Sequence, residues 1–141
     1  MIKIVPIKDI PNFCLALEIR IEVFVLEQGV PIELELDEND TVAQHYLAFM
    51  DGTPVAVSRL LITNDIAKIG RCAVRKDFRK KGIGSLLCKK MMNDAISVNC
   101  SKIVLDAQLQ AEAFYKKIGY TPYGEPFDDV GIPHIKMLMQ M

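Results

Sequence analysis

A chain of 141 residues is long enough for one domain with its own core. Hydrophobic residues make up 50% and charged residues 25%, and a net charge of −1 argues against a surface built for nucleic acid or an anionic membrane. No apolar run approaches the length of a membrane span, and Met1 to Pro6 lacks a signal-peptide pattern, so the expected location is the cytoplasm.

Ile2 to Ile7 reads as a short first strand. Asp9 is placed to cap the helix that follows, with Pro11 tolerated in its first turn. Phe13, Leu17, Ile21 and Phe24 recur at helical spacing and are expected to face the core. Arg20, Val23 and Glu27 form a second stripe, and Gly29 is the expected C-cap. Glu27 falls in the last turn, where the helix dipole opposes a carboxylate. Either it serves a site, or it pairs with Arg20 two turns back. Pro31 to Asp40 is an acidic loop with Glu33, Glu35, Asp37, Glu38 and Asp40. Such a run is a solvated face or the lip of a site that attracts a cationic amine. Gln44 to Asp51 and Thr53 to Thr63 read as strands around an Asp51-Gly52 turn. Asn64-Asp65 then turns into a central strand ending in Cys72-Ala73-Val74.

Arg75 to Lys81 is dense in positive charge, and Gly82-Ile83-Gly84-Ser85 opens a helix with apolar residues at Ile83, Leu87, Met91, Ala95 and Val98. The first turn of a helix has unpaired N–H groups and the positive end of the peptide dipole. Glycines there let backbone approach a ligand closely. Arg79, Lys80 and Lys81 add formal charge at the same point, so strand, loop and helix together make a cradle best suited to a pyrophosphate. The loop is not G-x-x-x-x-G-K-[ST], and Leu87 stands where G-x-G-x-x-G needs its third glycine.

Lys102 to Ala107 reads as a buried strand lying parallel to the central one. Gln110 to Ile118 is a short helix with Ala111, Phe114, Tyr115 and Ile118 on one side, stopped by Gly119. Tyr120 to Tyr123 starts a strand, Gly124 to Pro133 reads as loop, and His134 to Met139 as the last strand. Cys14, Cys72, Cys88 and Cys100 form no C-x-x-C and have no paired histidines, so no metal site is expected. Cys14 and Cys88 are expected to be buried thiols, and Cys72 a packing residue on the strand that faces the loop's ligand.

Arg79-Lys80-Lys81-Gly82-Ile83-Gly84 resembles the [Q/R]-x-x-G-x-[G/A] motif of the GNAT acetyltransferase superfamily, down to the strand that precedes it. Ala111-x-Ala113-Phe114-Tyr115-Lys116-Lys117-Ile118-Gly119-Tyr120 is similar to that family's A-x-x-F-Y-x-x-x-G-[F/Y] signature. The order of elements also matches, over nearly the whole chain. More narrowly, Arg20-x-x-Val23-Phe24-x-x-Glu27-Gln28, Glu35-x-Asp37-x-x-Asp40, His45 and Gly131-Ile132-Pro133-His134 resemble small bacterial members of the ElaA and YjcF type.

The resemblance implies an α/β fold in a single domain over residues 1–141: a mixed, mostly antiparallel sheet flanked by helices, with a β-α-β cofactor-binding unit. It implies acetyl-CoA as co-substrate, without a metal, and a direct transfer of the acetyl group to a primary amine. The implied cofactor residues are Cys72, Ala73, Val74, Arg79, Lys80, Lys81, Gly82, Ile83, Gly84, Ser85, Phe114 and Tyr115. Tyr115 matches the family's tyrosine near the sulfur, which can protonate the departing thiolate. Glu27 is the first candidate for the base, because its helix end should reach the cleft, with His45 and His134 behind it. Glu35, Asp37, Asp40, His45 and His134 are the candidate acceptor residues. No nucleic acid or membrane partner is expected, and the chain is a monomer or a homodimer. Two other readings stay open. One is a non-catalytic acetyl-CoA-binding sensor or interaction module. The other is an acyltransferase using a longer thioester, since the Arg20-to-Glu27 pattern is also similar to acyl-homoserine lactone synthases.

Overall fold

The computed structural model describes residues 1–141 and arranges them around a seven-stranded sheet. The strands are β1 (Ile2–Pro6), β2 (Gln44–Met50), β3 (Thr53–Thr63), β4 (Ile66–Val74), β5 (Lys102–Gln108), β6 (Thr121–Asp129) and β7 (Ile132–Gln140). Their order across the sheet is β1-β2-β3-β4-β5-β7-β6, antiparallel throughout except for β4 and β5. The three α-helices are α1 (Ile10–Arg20), α2 (Ile83–Ser97) and α3 (Glu112–Ile118).

Alternation along the strands divides the core into two layers. Leu47, Val57 and Ala73 point to one face, where Ala16, Ile19 and Val23 of the first helical segment cover them. Tyr46, Ala48, Ala56 and Leu60 point to the other, against Ile83, Leu87, Met91 and Ala95 of α2. Four of the five apolar positions expected on α2 are therefore buried; Val98 caps the helix and is exposed.

The first helix departs from expectation. Asp9 caps it through Asn12 N at 2.8 Å. After Arg20, however, the backbone widens into a π-helix over Ile21–Glu27, closed by Gln28 N donating to Val23 O at 3.1 Å. A steady 3.6-residue spacing does not survive that change. The buried line is Ala16, Ile19, Arg20 and Val23, while Phe13, Leu17, Ile21 and Phe24 are only half-buried and Cys14 is exposed. Gly29 does follow the helix end in the left-handed region, at φ +78°.

Residues 124–133 are not a loop either. β6 and β7 form a hairpin, turned by Val130 and Gly131 at φ +48° and +80°. Gly124, Glu125 and Pro126 slip out of the ladder between the Tyr123 and Phe127 pairings. The sheet tolerates a bulge and a proline there because β6 is an edge strand.

One irregularity positions the site. β4 pairs with β5 over only four positions, from Ile66–Lys102 to Ile69–Leu105. Beyond them the β3–β4 register moves from Arg59–Gly70 to Val57–Ala73, so β4 carries an extra residue, and Arg71 sits at φ +49°. A bulge of this kind bends and twists its strand. β4 swings away from β5, and a cleft opens between them.

Candidate functional site

The cleft holds a cavity of about 750 Å³. Ile69 to Val74 of β4 form one wall and Leu105 to Gln108 of β5 another. Tyr115 of α3, His134 of β7, and Val23, Phe24 and Gln28 of the first helical segment complete it with Glu35 and Asp37 of the acidic loop. Along Cys72, Ala73 and Val74 the backbone edge that faces β5 has no strand partner. That edge offers hydrogen-bonding groups to a ligand inside the cleft.

The basic glycine loop leaves the end of β4. Arg79 Nε donates to Val74 O at 2.9 Å and pins the loop to the strand. Lys80 and Gly82 both take left-handed backbone, at φ +62° and +81°. Gly82 is the N-cap of α2 and supplies no side-chain acceptor, so the N–H groups of the first turn stay open. Gly84 has a different reason: a Cβ there would lie 3.2 Å from Cζ of Phe114. Its absence lets α3 pack onto α2. Lys80, Lys81 and Ser85 are exposed. Within this loop only Arg79 lines the cavity; Lys80, Lys81, Gly82, Ile83, Gly84, Ser85 and Phe114 stand outside its wall.

Tyr115 is 9% exposed and makes edge contacts with Phe114 and Tyr120 at 5.0 and 5.8 Å. Burial pushes its hydroxyl well above the ordinary tyrosine range, helped by the neighbouring Cys72 thiol. The same cluster includes Cys88. A hydrogen bond from Cys88 draws the Cys72 thiol down, and that bond with burial pushes Cys88 up. Tyr115 therefore keeps its proton at neutral pH.

The acidic loop is divided: Glu33 and Glu38 are on a solvated face, whereas Glu35, Asp37 and Asp40 are taken up by arginines. Arg20 donates to Glu35 Oε2 and Asp40 Oδ1, both at 2.8 Å. Arg59 grips Asp37 with two bonds, at 2.7 and 2.9 Å, and reaches Asp40 Oδ1 at 2.9 Å. Arg71 reaches Asp37 Oδ2 at 3.2 Å and Glu35 O at 2.9 Å. Three arginines thus face three carboxylates. The side chains of Arg20, Glu35 and Asp40 are 2%, 3% and 6% exposed. Burial raises the Asp40 carboxyl, but hydrogen bonds from Arg20, the Asp37 backbone and Arg59 outweigh it and hold Asp40 well below the usual range. Arg59 holds Asp37 down in the same way.

Glu27 does not pair with Arg20. Both its oxygens accept from Arg79, at 2.6 Å each, in a half-exposed bidentate bridge. Those bonds lower its pKa. Glu27 lies outside the cavity wall, as do Asp40 and His45. His45 Nε2 is 2.9 Å from Asp40 O, and its ring meets Phe13 edge-on at 5.1 Å. His134, by contrast, is in the wall, 8% exposed, and stacked on Phe127 at 5.8 Å.

Several residues of the wall and its supports were not among the expected site residues. Gln110 donates to Gln108 at 2.5 Å, and Gln108 to Gln28 at 2.8 Å, an amide chain that links β5 to the first helix. Lys68 pairs with Asp106 at 3.2 Å. Arg59 and Arg71 carry the loop. Arg59 had a signal: it is a lone charge inside the apolar run from Val55 to Ile62, where a charged side chain needs a partner.

A family model described as "Acetyltransferase (GNAT) domain" matches residues 16–141. The chain is 38% identical over 124 residues to an uncharacterized N-acetyltransferase, YjcF, of Bacillus subtilis (strain 168), covering 87% of this chain and 89% of YjcF. The crystal structure of Escherichia coli ElaA superposes with a TM-score of 0.89 at 27% identity, covering 99% of this chain and 100% of ElaA. An acyl-CoA N-acyltransferase from Pseudomonas aeruginosa gives 0.87 at 28% identity, covering 98% and 99%. Together with the splayed β4–β5 pair and the glycine-capped α2, these matches establish that the chain belongs to the GNAT acetyltransferase family.

Proposed function

We propose that the protein is an acetyl-CoA-dependent N-acetyltransferase that moves the acetyl group directly to a primary amine. The observation that carries this is the parting of β4 from β5 beside Tyr115, with the uncapped start of α2 close after the same strand. The first-turn N–H groups of α2, with Lys80 and Lys81 beside them, suit the pyrophosphate of the co-substrate. The free backbone edge at Cys72 to Val74 suits its amide-bearing arm. N–H groups on that edge can polarise the thioester carbonyl, and donors fixed in place before reaction are the most effective way to stabilise an oxyanion. Tyr115, buried and protonated, is suited to give its proton to the departing thiolate.

The test has two parts. Calorimetry with acetyl-CoA should show binding to the parent. Release of free CoA should then depend on an added amine, in a panel of diamines, amino sugars and lysine peptides. Tyr115→Phe should lower that turnover about a hundredfold or more while cofactor affinity hardly changes. Binding without amine-dependent release from any of these acceptors would support a sensor module. Faster release from a longer acyl thioester would support the acyltransferase reading, which the name of the Pseudomonas aeruginosa protein favours.

A further inference from the structure

An amine arrives in the cleft as a cation and attacks only after losing a proton, so the reaction needs a base that the acetyl-transfer reading leaves unnamed. Most ionisable groups of the wall are already engaged. Arginines hold Glu35 and Asp37, and Lys68 and Lys136 both reach Asp106. Glu27 is outside the wall with both oxygens on Arg79, and His45 is behind it.

His134 is different. Its Nδ1 lies 2.7 Å from the carbonyl oxygen of Ile132. A carbonyl only accepts, so Nδ1 carries the hydrogen and the lone pair of the neutral ring is on Nε2. Nε2 makes no hydrogen bond within the protein, and the residue lines the same cavity as Tyr115 and Cys72. Phe127 stacks on the ring at an interplanar angle of 25° and fixes its orientation. The turn that delivers Ile132 contains Val130 at φ +48°, a costly conformation for a β-branched residue. Gln108 is its register partner on β5, and Tyr115 of α3 lines the same cavity. Asp129, at the end of β6 and free of any ion pair, lines the cavity with it, while Lys136 of β7 is drawn over Phe127 at 5.1 Å.

We propose that His134 is the general base, its Nε2 taking a proton from the acceptor ammonium. This rests on the acetyl-transfer reading. The free amine then attacks the thioester carbonyl: a C–N bond forms and the C–S bond breaks. The Tyr115 proton passes to the thiolate, the second amine proton restores the tyrosine, and the imidazolium returns its proton to solvent. The products are an amide, the CoA thiol and one proton.

His134→Asn keeps an N–H donor where Nδ1 stands and removes the Nε2 acceptor. With an amine that the parent acetylates, kcat/KM of the parent should rise with pH through one ionisation. His134→Asn should lack that limb, run about a hundredfold or more slower at neutral pH, and recover partly as pH rises. Independently of turnover, nitrogen NMR of parent protein labelled at its two histidines should find neutral His134 protonated at Nδ1. A folded His134→Asn with the parent's pH profile overturns the proposal, and so does a ring protonated at Nε2. A parent that binds acetyl-CoA but releases no CoA with any amine overturns the acetyl-transfer reading, and this one with it, whereas the first two results leave that reading standing.

Discussion

The loop from Arg75 to Ser85 and the loop from Pro31 to Thr41 both border the cleft, and both are dense in charge. In the first, Lys80 and Lys81 are exposed and form no ion pair, and the helix start beside them has no cap. In the second, two buried carboxylates and a third, half-exposed one are matched by three arginines from the first helix, β3 and β4. A segment that receives a charged ligand keeps donors unsatisfied, because satisfied ones have nothing left to offer. A segment that forms a wall pairs the charges it takes out of water, because an unpaired charge there is costly, and leaves only exposed Glu33 and Glu38 to solvent. Charge density is the same signal in both; the partners decide its meaning.

The sharpest way to break this contrast is to remove a partner from the wall. Arg20→Ala should leave buried Glu35 to Arg71 alone and buried Asp40 to Arg59 alone, and cost up to about 3–5 kcal/mol of stability, read as a fall in the denaturant midpoint. A change below about 1 kcal/mol would mean that the arginine cluster is not what holds the loop. The glycine loop, if it holds the cofactor as proposed, should respond in affinity. Gly82→Asp forces a side chain into left-handed backbone and puts a negative charge at the helix start, so calorimetry should show acetyl-CoA binding weakened at least about tenfold, about 1.4 kcal/mol. Equal affinity would remove the loop from the cofactor site.

How much of this was legible varied with distance along the chain. The glycine loop could be read because strand, cations, glycines and helix follow each other within about 20 residues, and its geometry is local. The acidic loop could not, because its meaning depends on Arg59 and Arg71, which lie 19 to 37 residues from the groups they bind. The π-helix has no periodic signature of its own. Gly124 and Pro126 looked like loop residues because they break ladders, and an edge strand can absorb the break. Of the cavity wall, Tyr115 and the β4 edge were visible, whereas Glu27, expected to reach the cleft from a helix end, lies outside the wall on Arg79.

Two smaller effects sharpen the comparison. Asp37 and Asp40 have lowered pKa values in the folded state, so their contribution to stability is complete above the unfolded carboxylate range, near about pH 4, and is lost as pH falls through their folded values. Arg20→Ala should flatten that acid limb in a series of denaturant melts at decreasing pH; an unchanged limb would place the acid sensitivity elsewhere. The smallest expected change is Glu27→Gln. It breaks a half-exposed pair and should shift stability by less than about 1 kcal/mol, decreasing further with added salt. A large loss would show that the bridge to Arg79, and not the Arg79–Val74 hydrogen bond, holds the glycine loop in place.

The π-helix between Ile21 and Glu27 has a consequence for length variation. A wide turn of this kind stores surplus chain inside an otherwise ordinary helix. Removing a single residue there would let the segment tighten to α spacing with its hydrogen bonds intact, so the fold has room for the deletion. The tighter turn per residue nearly offsets the lost residue, so the chain beyond would keep its direction, with Gln28 still facing Gln108 and Glu27 still facing Arg79. Chains of this kind that differ by one residue in this helix would therefore share a core and the contacts beyond it, and differ in the stretch of wall that Val23 and Phe24 form, making the insertion a cheap means of reshaping the cleft.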